Sequence, residues 1–280
     1  MNADGYRGRL APTPSGYLHA GHARTFAAAW RRARDAGGRL VFRIEDIDRE
    51  RSRAEYEAAA REDLAWLGLD WDEGGGRPGP FAPYRQSERH GRHREAWARL
   101  ADGGWIYPSP VTRREIAMHA TGREADGATR FPAVLRGPLP PRGTDPPDPS
   151  VNWRFRVPDG RLVAFEDGKA GKRAYRAGED FGDFLVWRKD GTPSYELAVV
   201  VDDRDMAITE VVRGEDLLLS TARQLLLYEA LGTAPPRFRH EPLVRDADGR
   251  RLAKTAGSVA IRELRERGWT PGEVLAWRAR

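Results

Sequence analysis

Cysteine is missing from all 280 residues of the chain. That absence removes a disulfide framework, a thiolate nucleophile and a thiolate-ligated zinc at one stroke. Long apolar runs are missing as well. No stretch approaches the roughly 20 residues a membrane-spanning helix needs. The start, MNADGYRGRL, has no apolar signal-peptide core, so the expected setting is cytoplasmic, with no membrane partner. Lysine is scarce: only Lys169, Lys172, Lys189 and Lys254 stand among 47 basic residues. The other 43 are Arg, and with abundant Ala, Gly and Pro this is the skew of a GC-rich coding sequence. The formal net charge of +5 is therefore compatible with an RNA or nucleotide partner without demanding one.

What is present points to a folded chain. Hydrophobic residues make up 40% and there are nine Trp, enough to fill a core and to exclude disorder. Thirty Gly and twenty Pro argue against an all-helical bundle. The length suits one large domain or two modest ones.

The first hundred residues alternate between strand and helix patterns. Tyr6–Ala11 reads as a short extended segment that ends in the turn-rich Pro12-Thr13-Pro14-Ser15-Gly16. From His22 to Arg34, Phe26, Trp30 and Ala33 recur at helical spacing until Gly37-Gly38. Leu40–Ile44 reads as a strand. Ser52 and Glu55 form a capping-box pattern ahead of Tyr56, Ala60, Leu64 and Leu67 on one helical face. Strand, helix, strand, helix implies a parallel sheet with crossover helices.

The middle differs. Thr112 and Glu115 are set to cap a short helix, and residues 131–150 hold seven prolines, too many for regular structure. Asn152–Val157 and Arg161–Phe165, split by Pro158-Asp159-Gly160, read as a hairpin. This section has the character of an insertion. Parallel-sheet character then returns, with a buried strand expected at Leu197–Val201, another at Ile208–Val212 and an apolar helix over Leu217–Leu231. The last segment, from Ser258, is helical in pattern.

Two short segments carry chemistry. Leu18-His19-Ala20-Gly21-His22 follows a strand and opens a helix. A helix N-terminus offers unpaired N–H groups and positive dipole to an anion. Gly21 allows close approach of a flat ring, and His19 and His22 can donate to phosphate oxygens as charge builds in a nucleotidyl transfer. Far downstream lies Arg250-Arg251-Leu252-Ala253-Lys254-Thr255-Ala256-Gly257-Ser258, which holds the only Lys of the last ninety residues. A flexible ammonium on a Gly-containing loop can follow a leaving pyrophosphate. Alone, the first segment reads equally well as two surface histidines near a turn, and the second reads more readily as an ordinary solvated basic loop.

Together they resemble the HIGH and KMSKS signatures of class I aminoacyl-tRNA synthetases. Arg9-Leu10-Ala11-Pro12-Thr13-Pro14-Ser15-Gly16 is similar to the RFAPSPTG of the glutamyl branch. Also similar to that branch are Ala23-Arg24-Thr25, Arg43-Ile44-Glu45-Asp46-Ile47-Asp48, Trp66–Glu73 and Val211–Asp216. The resemblance runs from about Arg7 to Ser258. Because the chain stops soon after the KMSKS-like loop, it further resembles the glutamyl-queuosine tRNA(Asp) synthetases, whose members consist of the catalytic region alone. The run Tyr195–Asp203 is close to their pattern as well.

The resemblance implies activation of L-glutamate with ATP and transfer of the glutamyl group to the queuosine base of tRNA(Asp). It implies that Arg9 and Arg213 bind carboxylate, that Glu45 meets the substrate ammonium, and that Thr13 and Tyr195 contribute hydroxyls. His19, Gly21, His22, Arg251, Leu252 and Lys254 would meet ATP, with His19, His22 and Lys254 as catalytic groups and Mg²⁺ arriving with the nucleotide. Arg251 stands where relatives often have Lys, and Ala253 where they often have Ser.

Relatives often bind zinc in the inserted section. Here Ser109, Val111, Phe131 and Leu135 stand at the four ligand positions, so no zinc is expected, with proline-rich packing and apolar contacts left to hold that section. His119 has no second ligand at useful spacing.

The expected fold is α/β: a Rossmann-like parallel-sheet catalytic domain with an inserted α+β subdomain and a short helical C-terminal tail. The expected boundaries are 1–103 and 191–257 for the two halves, 104–190 for the insertion and 258–280 for the tail, in a monomer. The ligand site is expected at the carboxyl ends of the strands, where Pro12–Gly16, Glu45 and Arg213 emerge. Three other functions remain open on the residues alone: a truncated glutamyl-tRNA synthetase charging a 3′ end, a glutamyl-adenylate ligase with a small-molecule acceptor, and an inactive binding-only paralogue.

Overall fold

The computed structural model describes residues 5–143, 151–243 and 259–277. The elements run β1 (Arg7–Leu10), α1 (Ala20–Asp35), β2 (Arg39–Phe42), α2 (Ala54–Trp66), β3 (Glu73–Gly74), α3 (His90–Asp102), β4 (Ile106–Ser109) and α4 (Arg113–His119). They continue with β5 (Asn152–Phe155), β6 (Leu162–Asp167), β7 (Gly171–Arg176), β8 (Phe184–Trp187), α5 (Tyr195–Asp205), β9 (Glu210–Gly214) and α6 (Leu218–Ala230), and close with β10 (Arg237–Glu241), α7 (Ile261–Glu266) and α8 (Pro271–Ala276). The chain divides into two compact units. One comprises Met1–Glu88, Ala207–Glu215 and Pro236–Arg280; the other comprises Arg89–Met206 and Asp216–Pro235.

The first unit is the parallel α/β unit. β1 pairs in parallel with β2, and β2 with β3. β9 lies on the other side of β1, where Thr209 N–H donates to the Arg7 carbonyl at 2.8 Å, and β9 pairs in parallel with β10. A buried carboxylate locks this junction. Glu210 receives a two-pronged bond from Arg32 of α1 (2.8 and 2.7 Å) and one from the Tyr6 hydroxyl (2.9 Å). Those donors hold Glu210 below the usual carboxylate range against the opposing effect of its burial, while burial beside Glu210 pushes the Tyr6 phenol up. α1 meets the sheet through Ala20, Ala23, Ala27 and Ala33, small residues that let helix and strands approach closely. Phe26 and Trp30, the large residues of the expected apolar face, pack only partly buried at its flank.

The second unit is built on an antiparallel sheet, β4–β5–β8, with α3 packed on α5. Trp97 meets Trp153 edge-to-face at 4.9 Å between ring centroids. β6 and β7 pair as an antiparallel hairpin.

Three local expectations are corrected here. Leu197–Val201 is not a strand but the middle of helix α5. Every residue from Glu196 to Asp203 is buried, so the helix is apolar all round and shows no 3.6-residue period to read. Asn152–Val157 and Arg161–Phe165 do not pair with each other. β5 has both edges filled, by β4 and β8, while β6 turns back onto β7 at a corner where the Asp167 carboxylate accepts from the Lys169 and Ala170 N–H groups (3.0 and 2.7 Å). Ser52 does not cap α2. The N-cap is Arg53, whose N–H is spent on the Pro14 carbonyl at 2.9 Å, so the helix starts one residue later. The Thr112–Glu115 capping box forms as expected.

Candidate active site

The strand order of the first unit gathers a set of charged side chains at one edge. β1 carries Arg9, which is buried and donates to the Val212 carbonyl at 2.8 Å. The next residue on β9 is Arg213, also buried, with its Nε donating to His240 Nε2 at 3.1 Å and its guanidinium 5.3 Å from the Phe238 ring centre. His240 faces Arg213 directly in the β9–β10 register. By accepting at Nε2 it is fixed as the neutral Nδ1–H tautomer. β2 runs on into Glu45, whose N–H donates to the Pro12 carbonyl at 3.1 Å; just before it, the Arg43 N–H donates to Leu10 at 2.9 Å. Those backbone bonds bring Glu45 to the loop that holds Thr13. Arg43 is fully buried and donates to Glu45 Oε1 at 2.9 Å. Thr13 itself is exposed.

The structure thus brings Arg9, Thr13, Glu45 and Arg213 to the carboxyl ends of neighbouring strands in one unit. Two buried arginines and one carboxylate complement a dicarboxylate that carries an ammonium. One contributor has no signature in the sequence: His240 is recognised only once β10 is placed in register against β9. Arg43 lies in a segment already singled out, but its bond to Glu45 appears only in the structure.

The histidine pair sits at the start of α1. His19 is the N-cap, and its Nδ1 accepts from the Gly21 N–H at 3.1 Å; His22 Nδ1 accepts in return from the His19 N–H at 3.2 Å. This is a capping box made of two imidazoles, with rings stacked at 3.8 Å. Because each Nδ1 accepts, each neutral ring carries its proton on Nε2 and presents a donor. Gly21 lies in the first helical turn between them.

Arg251, Leu252 and Lys254 lie outside the described residues. The flanking chain is described. It leaves β10 beside the strand of Arg213, where the Leu243 N–H donates to Glu215 at 3.1 Å. It returns at Ala260, which bridges to His19, and at Ile261, whose N–H donates to the Leu18 carbonyl at 2.8 Å. Tyr195 belongs to the second unit. It is the first residue of α5, exposed, beside an N-cap at Ser194 whose hydroxyl accepts from the Leu197 N–H. Among the described residues, no cluster of three His, Asp or Glu could hold a metal ion, and no helix is long and apolar enough to cross a membrane.

Comparison with known proteins fits this arrangement. The family described as "tRNA synthetases class I (E and Q), catalytic domain" matches residues 6–279. A protein of Symbiobacterium thermophilum named Glutamyl-Q tRNA(Asp) synthetase is 48% identical, over 96% of this chain and 84% of its own length. Glutamate–tRNA ligase 2 of Syntrophus aciditrophicus is 42% identical over the whole chain, which spans 58% of that longer protein. The crystal structure of a glutamate-tRNA synthetase from Elizabethkingia anophelis superposes with a TM-score of 0.76 at 29% identity, covering 95% of this chain and 54% of that one. The chain belongs to the class I tRNA synthetase family, in the branch of glutamate and glutamine catalytic domains, and is a ligase of that family.

Proposed function

We propose that the chain activates L-glutamate with ATP to glutamyl-adenylate and transfers the glutamyl group to the queuosine base of tRNA(Asp). The observation that carries the activation step is the gathering, in one unit, of Arg9, Arg213 and Glu45 with an imidazole pair whose Nδ1 atoms are both tied to backbone N–H groups. In this reading Arg9 and Arg213 hold carboxylate, Glu45 holds the ammonium, and Thr13 supplies a hydroxyl contact. An α-carboxylate oxygen of glutamate attacks the α-phosphorus of ATP, the bond to the bridging oxygen breaks, and pyrophosphate leaves. His19 and His22 donate from Nε2 to phosphoryl oxygens as charge builds there, at a helix N-terminus already suited to anions. Gly21 lets the flat purine approach. Lys254 follows the departing pyrophosphate, with Arg251 and Leu252 lining the nucleotide. Mg²⁺ travels as the ATP complex and neutralises the polyphosphate.

The acceptor is assigned by kinship. The 48% identical relative named for Glutamyl-Q tRNA(Asp) is matched over 84% of its length, and this supports transfer to the modified base. A second reading, charging of a tRNA 3′ end, is favoured by the 42% identical glutamate–tRNA ligase. Labelled glutamate supplied with ATP and either queuosine-containing tRNA(Asp) or tRNA(Glu) separates the two. Label on tRNA(Asp) that is lost when queuosine is absent supports the proposal, and label on the 3′ end of tRNA(Glu) supports the second reading.

A further inference from the structure

At the four positions where the resemblance implies that relatives often carry zinc ligands stand Ser109, Val111, Phe131 and Leu135. Their surroundings in the second unit are built for something other than a cation. Only one of the four, Ser109, has an oxygen to offer, and its hydroxyl is a neutral, buried group with no partner. The Phe131 ring is buried and lies under the guanidinium of Arg154, 4.2 Å from its centre. A divalent metal brought beside these residues would meet three side chains without a donor and a fixed positive charge.

The same segments converge on one carboxylate. Asp183, at the entry to β8, has a fully buried side chain. Its Oδ2 accepts from the Tyr107 hydroxyl at 2.6 Å and from Arg136 Nε at 2.8 Å; its Oδ1 accepts from Arg136 Nη2 at 2.7 Å and from the Val157 N–H at 3.0 Å. Its backbone carbonyl accepts from Arg154 at 3.0 Å. Arg136 also pairs with Asp159, and Arg156 stacks 5.3 Å from the Tyr107 ring centre. Burial beside Asp183 pushes the Tyr107 phenol up, so it stays a donor, and burial lowers Arg154 despite the nearby carboxylate.

We propose that this region is metal-free by construction, and that Asp183, clamped by Arg136, Tyr107 and Arg154, ties together the chain segments that zinc would otherwise join. A tetrahedral metal links two pairs of ligands. The Asp183 cluster links β4 through Tyr107, the segment after the 131–135 stretch through Arg136, β5 through Arg154, its exit through Val157, and β8 through Asp183 itself. A carboxylate that accepts four hydrogen bonds is fully satisfied, which is the condition under which a buried ion stabilises. A polar cluster with two cation–π contacts thus stands alongside the expected proline-rich packing and apolar contacts.

The test uses the full chain. After dialysis against zinc, it should hold fewer than about 0.1 zinc per molecule, and its melting curve should not move when 1,10-phenanthroline is added. Asp183→Asn keeps the volume but removes the buried negative charge beside Arg136 and Arg154 and turns one of its acceptor oxygens into a donor facing other donors, so its Tm should fall by roughly 5–10 °C. Phe131→Leu, which removes the ring beneath Arg154, should lower Tm by about 1–3 °C and supplies a measurable variant if the first fails to fold. Stoichiometric zinc, a melt that collapses with chelator, or a Phe131→Leu Tm equal to that of the unaltered chain would each overturn the proposal. An Asp183→Asn variant that melts with the unaltered chain would do so as well.

Discussion

The two units hold their charged groups in opposite ways. In the first, Arg9, Arg213 and Glu45 are placed at strand ends by backbone and strand contacts, and are proposed to meet a ligand there. In the second, Asp183, Arg136 and Arg154 are consumed by one another. The lesson is that buried arginine by itself marks nothing. The contacts seen at Arg9 and Arg213 run to a backbone carbonyl and an imidazole, whereas Arg136 faces a buried carboxylate. Substitutions in the first unit should therefore change catalysis more than folding, and those around Asp183 should change folding.

The largest expected effects test the groups proposed to meet phosphate. His22→Ala and Lys254→Ala should each slow adenylate formation by about 10²–10³-fold while leaving glutamate affinity nearly unchanged, as read by pre-steady-state exchange and by equilibrium binding. Equal losses in rate and affinity would remove these residues from the transition state. Next come the pocket charges. Arg213→Met should raise the KM for glutamate by roughly 10–100-fold, the size expected for one lost charge-assisted hydrogen bond. A smaller effect falls on the residue behind it: His240→Phe keeps the ring but removes the acceptor, so KM should rise by about 3–10-fold with kcat held within about twofold. If kcat fell instead, His240 would be supporting the strand and not the orientation of Arg213.

The smallest effect separates folding from function inside the first unit. Asp63 on α2 is buried, with one oxygen lacking a partner, near Arg262 and Arg265 of α7. Burial outweighs those cations and raises its pKa from 3.8 to about 6. The folded state therefore binds a proton more tightly than the unfolded one. Stability falls as pH rises from about 4 to 6, and the penalty is complete above that window. Asp63→Asn should add about 1–3 kcal/mol to unfolding stability at pH 8 and nothing below pH 4, as measured by denaturant titration. A gain that persisted at pH 4 would place the cause in packing.

Much of the first unit was legible because its signals are local. A histidine turn before a helix, a carboxylate after a short strand and an arginine within an alternating segment each declare their position through neighbours one to five residues away. What stayed hidden depends on distant pairing. His240 faces Arg213 across 27 residues of chain and only through strand register. Asp183 meets Tyr107 across 76 residues, and no spacing rule reaches that far. Helix α5 was misread as a strand because complete burial erases the periodicity that tells the two apart. The Ser52 box failed for a related reason: the residue beside it is held by Pro14, remote in the chain.

ATP–pyrophosphate exchange with glutamate, glutamine and aspartate in the absence of tRNA tests the central claim most directly. Exchange with glutamate alone is expected, because Arg9, Arg213, Glu45 and the histidine pair are already assembled within one unit. Exchange that begins only when tRNA is added, or none under either condition, would contradict that account of a preformed glutamate-activating site.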